Sequence, residues 1–208
     1  RHVREKITAV KKELAEVELN RQTQRKQRGK IPSVALVGYT NAGKSSLLNA
    51  LTGSEAFVEN KLFATLDPLT RKMPLNESAG VALTDTVGFI SNLPHHLIDA
   101  FKSTLEEAVE ADLLLLVLDS SDPNAEFQYE TVCSVLQDIG ADENPCLILL
   151  NKIDKADECP GMLQTLRLKF PDAIPVSAKE EFGFQDLKDK VYAMVYGEAA
   201  DYVIPVNQ

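Results

Sequence analysis

Eight residues constrain this chain more than any others: Gly38-Tyr39-Thr40-Asn41-Ala42-Gly43-Lys44-Ser45. They stand between the apolar run Val34-Ala35-Leu36-Val37 and the helix-like run Leu47-Leu48-Asn49-Ala50-Leu51. The order is strand, glycine-bounded loop, helix, with the spacing G-x-x-x-x-G-K-[ST] of a phosphate-binding loop. Gly38 and Gly43 let the backbone curl so that successive N–H groups point inward at anionic oxygens, at the positive end of the helix dipole. Lys44 has the reach for β- and γ-phosphates, and the Ser45 hydroxyl is placed to ligate Mg²⁺.

The pattern around this loop alternates strand and helix, which predicts an α/β fold: a mostly parallel sheet with helices on both faces. Expected strands are Ser33–Val37, Leu69–Leu75, Gly80–Asp85, Leu113–Leu118, Cys146–Leu150 and Ile174–Val176. Asn76-Glu77-Ser78-Ala79 joins the second and third of these, and so short a connection requires an antiparallel pair at the sheet's edge. Expected helices are Lys44–Thr52, Leu97–Val109, Ala125–Ile139, Gly161–Lys169 and Gln185–Tyr196. The acidic run Asp154–Glu158 reads as a solvated helix start.

Further motifs fall at strand ends, where open α/β sheets bind ligands. Asp85-Thr86-Val87-Gly88 follows the third strand: an aspartate there can hold Mg²⁺ through water, and the Gly88 N–H can approach a γ-phosphate without a side-chain clash. Asn151-Lys152-Ile153-Asp154 begins where the fifth strand stops. The Asp154 carboxylate suits guanine N1–H and the 2-amino group, adjacent donors that adenine lacks. The Asn151 amide can bond the base and neighbouring loops, and the Lys152 stem can lie along the ring. Ser177-Ala178-Lys179, after the last strand, can supply a backbone N–H to guanine O6. The implied ligands are GTP and GDP.

Charge is unevenly spread. Residues 1–30 hold ten Lys and Arg against four Glu, a net +6 in a chain of net charge −9, so the remainder carries −15. A basic arm on an acidic body points to a polyanionic partner, nucleic acid foremost, and equally to a solvated helix face. Val3, Ile7, Val10, Leu14 and Val17 form a narrow apolar seam on that arm, an amphipathic helix with no matching helix nearby in sequence. Pro32 marks its end and the entry to the first strand. No apolar run approaches the length of a membrane span. Cys133, Cys146 and Cys159 lack metal-ligand spacing and read as reduced thiols in a cytoplasmic setting.

Taken together, the chain resembles the P-loop GTPases of the Ras-like, translation-factor-related class over roughly residues 32–197. Within that class, the loop at Gly38–Ser45, Leu62-Phe63-Ala64-Thr65-Leu66-Asp67-Pro68, Asp85-Thr86-Val87-Gly88-Phe89-Ile90, Leu93-Pro94-His95 and Ser103-Thr104-Leu105-Glu106-Glu107 resemble the HflX family. The resemblance implies a three-layer fold with a six-stranded sheet and one antiparallel edge strand. It implies nucleotide contacts from Gly38, Asn41, Ala42, Gly43, Lys44, Ser45, Ser46, Thr65, Asp85, Gly88, Asn151, Lys152, Asp154, Ser177, Ala178 and Lys179. Ser45, Thr65 and Asp85 are the implied metal ligands, Thr65 being the switch I threonine, and Lys44, Thr65, Gly88 and Asn41 the implied catalytic set. In related GTPases an asparagine at the Asn41 position helps ligate a monovalent cation, K⁺; a structural hydrogen bond within the loop is the alternative. The family binds the large ribosomal subunit, rRNA and proteins, and can split ribosomes under stress.

The expected activity is therefore GTP hydrolysis used as a switch on ribosomes, by a monomer; a nucleotide-gated binding module with negligible hydrolysis is the alternative. A membrane-linked or tRNA-modifying GTPase is a weaker third reading. The expected organisation is a helical segment and linker at 1–30, a GTPase domain at 31–197 and the start of a further region at 198–208, a segment excised from a longer protein. Leu69 stands where a second switch I threonine is expected. Phe89 replaces the glutamine that orients the attacking water in Ras-like enzymes; it has no donor or acceptor. It is expected to be an apolar flap, turned aside or used against a partner, and the intrinsic rate to be slow. Phe57 and Phe63 are expected to anchor a loop, and His95 and His96 to contact partners.

Overall fold

The structure, a computed structural model, describes residues 31–53, 69–89 and 102–197, with side chains omitted for 102–104. The chain divides into two units between Ile31 and Pro32, and the second is the one described. The expected N-terminal helix, Phe57, Phe63, Thr65, His95, His96 and the segment 198–208 lie outside the described residues.

Among the described residues six strands form one sheet: β1 (Ser33–Gly38), β2 (Leu69–Pro74), β3 (Gly80–Asp85), β4 (Leu113–Asp119), β5 (Cys146–Asn151) and β6 (Ile174–Pro175). Their order is β2-β3-β1-β4-β5-β6. Only β2 runs antiparallel to its neighbour, as the short Asn76–Ala79 connection demands. The Asn76 side chain closes that turn, its Oδ1 accepting from the N–H groups of Ser78 at 3.0 Å and Ala79 at 2.8 Å.

Among the described residues five helices cover the faces: α1 (Lys44–Thr52), α2 (Lys102–Val109), α3 (Ala125–Asp138), α4 (Met162–Lys169) and α5 (Phe184–Tyr196). The β4 sequence LLLLVLD shows why both faces need covering, since every one of its residues is buried. Leu113, Leu115 and Val117 join a core with Leu47, Leu48 and Leu51 of α1 and Leu187 and Val191 of α5. Leu114, Leu116 and Leu118 alternate to the other face, with Leu105 of α2, Tyr129 and Val132 of α3 and Leu166 of α4.

Local differences from the sequence expectation are small. The last strand is two residues long, and Ile153–Glu158 is a 3₁₀ turn rather than the start of a longer helix. The three cysteines are free and half-buried. Burial pushes the Cys146 thiol up to about 12 and raises Cys133 as well, so both stay protonated near neutrality.

Of the two expectations for Phe89, the ring turned aside is the one the structure bears out, and the ring used against a partner is corrected. Phe89 is fully buried, in the core beneath α2 and α3, and exposes no apolar flap to a partner. Its backbone is fixed by two hydrogen bonds, Thr40 N–H to Phe89 O at 2.9 Å and Phe89 N–H to Gly38 O at 3.1 Å. These extend the β1–β3 pairing by one parallel bridge, Tyr39 to Phe89, and direct the ring inward.

Candidate functional site

Parallel strands bring the loops that follow β1, β3, β4, β5 and β6 to one edge of the sheet. The register places Leu36 beside Asp85, Gly38 beside Val117 and Asp119 beside Asn151. The Gly38–Ser45 loop bends through Asn41 (φ 63) and Gly43 (φ 97) before α1 begins. Gly43 is required on two grounds: its left-handed backbone, and a β-carbon there would collide with Asn151 Nδ2.

Lys44 is buried, and its ammonium turns back across the loop to donate to Gly38 O at 3.1 Å and Tyr39 O at 3.0 Å. Burial holds its pKa down at about 8, against a partial lift from the charge of Asp85. A β-carbon on Gly88 would lie 2.8 Å from Thr40 and 3.1 Å from Lys44 Nζ, so only glycine permits this approach of the two loops. Ser45 Oγ donates to Asp85 Oδ2 at 2.5 Å. A hydroxyl and a carboxylate so placed form a hard oxygen pair of the kind that Mg²⁺ takes, beside an ammonium able to meet phosphate oxygens. Ser46 is half-buried in the first turn of α1.

The second half of the site is tied to the first. Asn151 Nδ2 donates to Ala42 O at 2.9 Å while its Oδ1 accepts from Ala178 N–H at 3.3 Å, joining three loops through one amide. Lys152 is left-handed (φ 62) and its Nζ donates to Asn41 O at 2.8 Å. Ser177 Oγ donates to Asp154 Oδ1 at 2.6 Å, and Lys179 Nζ lies 4.0 Å from Asp154 Oδ2. Lys179 is exposed, its pKa raised first by a hydrogen bond to Glu180. Asn41 is exposed, and its amide makes no hydrogen bond to any described residue.

Thus the structure brings together every expected site residue except Thr65, which lies outside the described residues. Sequence reasoning passed over three more. Thr86 Oγ1 donates to Leu36 O at 2.6 Å, pinning the Asp85–Gly88 turn to β1. Ser120 donates to Asn151 O through both its N–H, at 2.9 Å, and its Oγ, at 2.7 Å. Asp119 forms an ion pair with Lys152 at 2.7 Å. The available signal for Asp119 was an acid closing an otherwise wholly apolar strand.

A family described as 50S ribosome-binding GTPase matches residues 33–152, more than half of the chain. GTPase HflX of Caldanaerobacter subterraneus is 48% identical over 200 residues, 95% of this chain and 45% of that protein. The chain belongs to the HflX family of P-loop GTPases. A second HflX protein, from Akkermansia muciniphila, is 47% identical over 215 residues, all of this chain and 49% of its own length. The chain therefore spans about half the length of the HflX relatives it matches. Among solved structures, a GTP-binding protein of Sulfolobus solfataricus in complex with GDP superposes with a TM-score of 0.61. It is 33% identical, with 93% of this chain and 58% of that one covered. The HflX assignment agrees with the order of the motifs along the sheet edge.

Proposed function

We propose that this chain is a GTP-binding and GTP-hydrolysing switch domain acting on ribosomes. The observation that carries this reading is the convergence, at one sheet edge, of the Lys44 cradle with the Asp154–Ser177 pair. Lys44 and the loop N–H groups bind the β- and γ-phosphates, the Gly88 N–H approaches the γ-phosphate, and Asp154 accepts from guanine N1–H and the 2-amino group. Ala178 N–H serves O6, and Asn151 holds the base loop to the phosphate loop. Ser45 and Asp85, with Thr65, would hold Mg²⁺, which neutralises charge on the transferred phosphoryl group. Asn41, whose amide is not engaged within the loop, is the proposed neighbour of a K⁺ ion, a charge able to replace an arginine finger.

Phe89 shapes the expected rate. A buried phenyl ring can neither accept nor donate to the attacking water, so hydrolysis by the chain alone is slow. The missing polar group comes from a switch backbone, from the cation beside Asn41, or from the large ribosomal subunit. The relatives' family description, 50S ribosome-binding GTPase, supports the last partner. Among the described residues no helix is long and apolar enough to cross a membrane; a cytoplasmic monomer is proposed. The proposed organisation keeps 31–197 as the GTPase unit between a helical segment at 1–30 and a further region at 198–208.

Multiple-turnover phosphate release, measured with GTP and with or without large ribosomal subunits, tests this reading. Slow release that the subunit accelerates is expected. No release under either condition leaves a nucleotide-gated binding module instead.

A further inference from the structure

We propose that Asp119 is a positioning residue for nucleotide binding, acting through Lys152; the inference rests on the guanine-nucleotide reading above. The last residue of β4 and the last of β5, Asp119 and Asn151, are register partners, so Asn151 and the Lys152 that follows it are within reach of the end of β4 and the loop it opens. That loop grips both. Ser120 holds the Asn151 carbonyl twice, and Asp119 Oδ2 takes the Lys152 ammonium at 2.7 Å.

The carboxylate is aimed before it meets the lysine. Asp119 Oδ1 accepts from Ser121 N–H at 3.0 Å and Ser121 Oγ at 2.6 Å, which leaves Oδ2 directed at Lys152. Both partners are mostly covered, with side chains 12% exposed for Asp119 and 23% for Lys152. A pair with this cover is screened far less than a surface pair, and breaking it leaves a poorly solvated ammonium.

The consequence lies in what Lys152 then does. Its ammonium is shared between Asp119 and the Asn41 carbonyl of the phosphate loop, so its position and its stem's direction are fixed at both ends. A free lysine carries large rotamer freedom that binding has to remove. Here Asp119 removes it in the folded chain. The left-handed backbone of Lys152 (φ 62), uncommon outside glycine, is held in the same way. Asp119 thereby keeps the lysine stem in the place where it covers the purine face and keeps the Asn41 arc drawn toward the base loop.

The test is a double-variant cycle on the 208-residue chain, with dissociation of fluorescent mant-GDP as the readout and ligand-free melting as the control. Asp119→Ala is expected to speed mant-GDP release by about tenfold, the loss typical of one charge-assisted hydrogen bond. Lys152→Ala is expected to do at least as much, and the double variant to match Lys152→Ala alone within about twofold. Asp119→Asn, which keeps an acceptor but not the charge, should fall between wild type and Asp119→Ala. Release from Asp119→Ala at the wild-type rate overturns the inference. So do losses that multiply in the double variant, since Asp119 would then act through the fold and not through Lys152. If Asp119→Ala does not melt cooperatively, Asp119→Asn carries the same comparison against Lys152→Ala. Failure of the wild-type chain to bind mant-GDP at all removes the guanine-nucleotide reading itself, an outcome distinct from wild-type binding with unaffected variants.

Discussion

The two halves of the site sit side by side on one sheet edge and are held in different ways. At the proposed base half the named side chains are locked to the protein: Asn151 to Ala42 and Ala178, Lys152 to Asn41 and Asp119, Asp154 to Ser177. At the proposed phosphate half Lys44, the one buried cation among the described residues, rests on two backbone carbonyls and is pushed down to a pKa of about 8 by its own burial. The base half is pre-organised, with little ordering left to do on binding. The phosphate half stores an unfavourably buried charge that an anionic ligand relieves. Shape selection and charge attraction are therefore separable properties of neighbouring loops, and each can be broken without the other.

The largest expected effect belongs to the base half. Asp154→Asn replaces an acceptor by a donor where guanine presents donors, while xanthine offers a carbonyl. GTP affinity should fall by roughly a thousandfold with a gain in XTP affinity, read by competition titration; unchanged GTP affinity removes Asp154 from the base site. Lys44→Met, by contrast, should leave the preference between the two bases intact.

The joint between the phosphate loop and the strand-three turn comes next. Phe89→Ala empties a fully buried site, and chain stability in urea should drop by about 3–5 kcal/mol. The guanine-to-xanthine preference should not move, because the base half is tied elsewhere. A stability loss under about 1 kcal/mol would show that the ring is dispensable to the core.

A pH series isolates the buried charge. Because the folded-state pKa of Lys44 is depressed to about 8 from 10.5, the unfolded chain holds more protons between those values. The penalty is complete below pH 8 and is relieved as the pH rises through about 8 to 10.5. Relative to Lys44→Met, the ligand-free chain should gain on the order of 3 kcal/mol across that window. Parallel stability curves for the two proteins would mean that the ammonium is solvated. Saturating nucleotide should flatten the difference.

The smallest effect concerns the rim where the halves meet. Hydrolysis in K⁺ is expected to exceed hydrolysis in Na⁺ several-fold at equal ionic strength, and Asn41→Ala to abolish the preference. Equal rates, with and without large ribosomal subunits, would reject a selective ion beside Asn41.

The geometry of the Gly38–Ser45 loop was almost wholly legible in the chain, because its residues are close in sequence and each takes its place at a fixed offset. Gly43, Lys44 and Ser45 need only a strand before them and a helix after. The Asp85–Gly88 turn was legible for the same reason, as was the antiparallel β2–β3 pair, whose four-residue connection allows nothing else. The base half was legible as residue types but not as a network. Asn151 reaches a carbonyl 109 residues away, and no periodicity records such a bond. Phe89 was legible as lacking a polar group, yet its inward direction was not, since a flap and a core residue share one composition.

The sequence by itself determined the layer architecture, the strand polarity and the placing of the motif residues at the strand ends, because hydrophobic alternation, turn length and donor–acceptor type are local properties of the chain. Tertiary structure alone decided that Asp119 clamps Lys152, that Phe89 is sealed beneath α2 and α3, and that Lys44 carries a depressed pKa. Each of these depends on which strand lies beside which, and in what register. Parallel neighbours such as β4 and β5 are separated by a helical crossover, so the meeting of Asp119 with Lys152 is fixed only when the sheet assembles and water is excluded from between them.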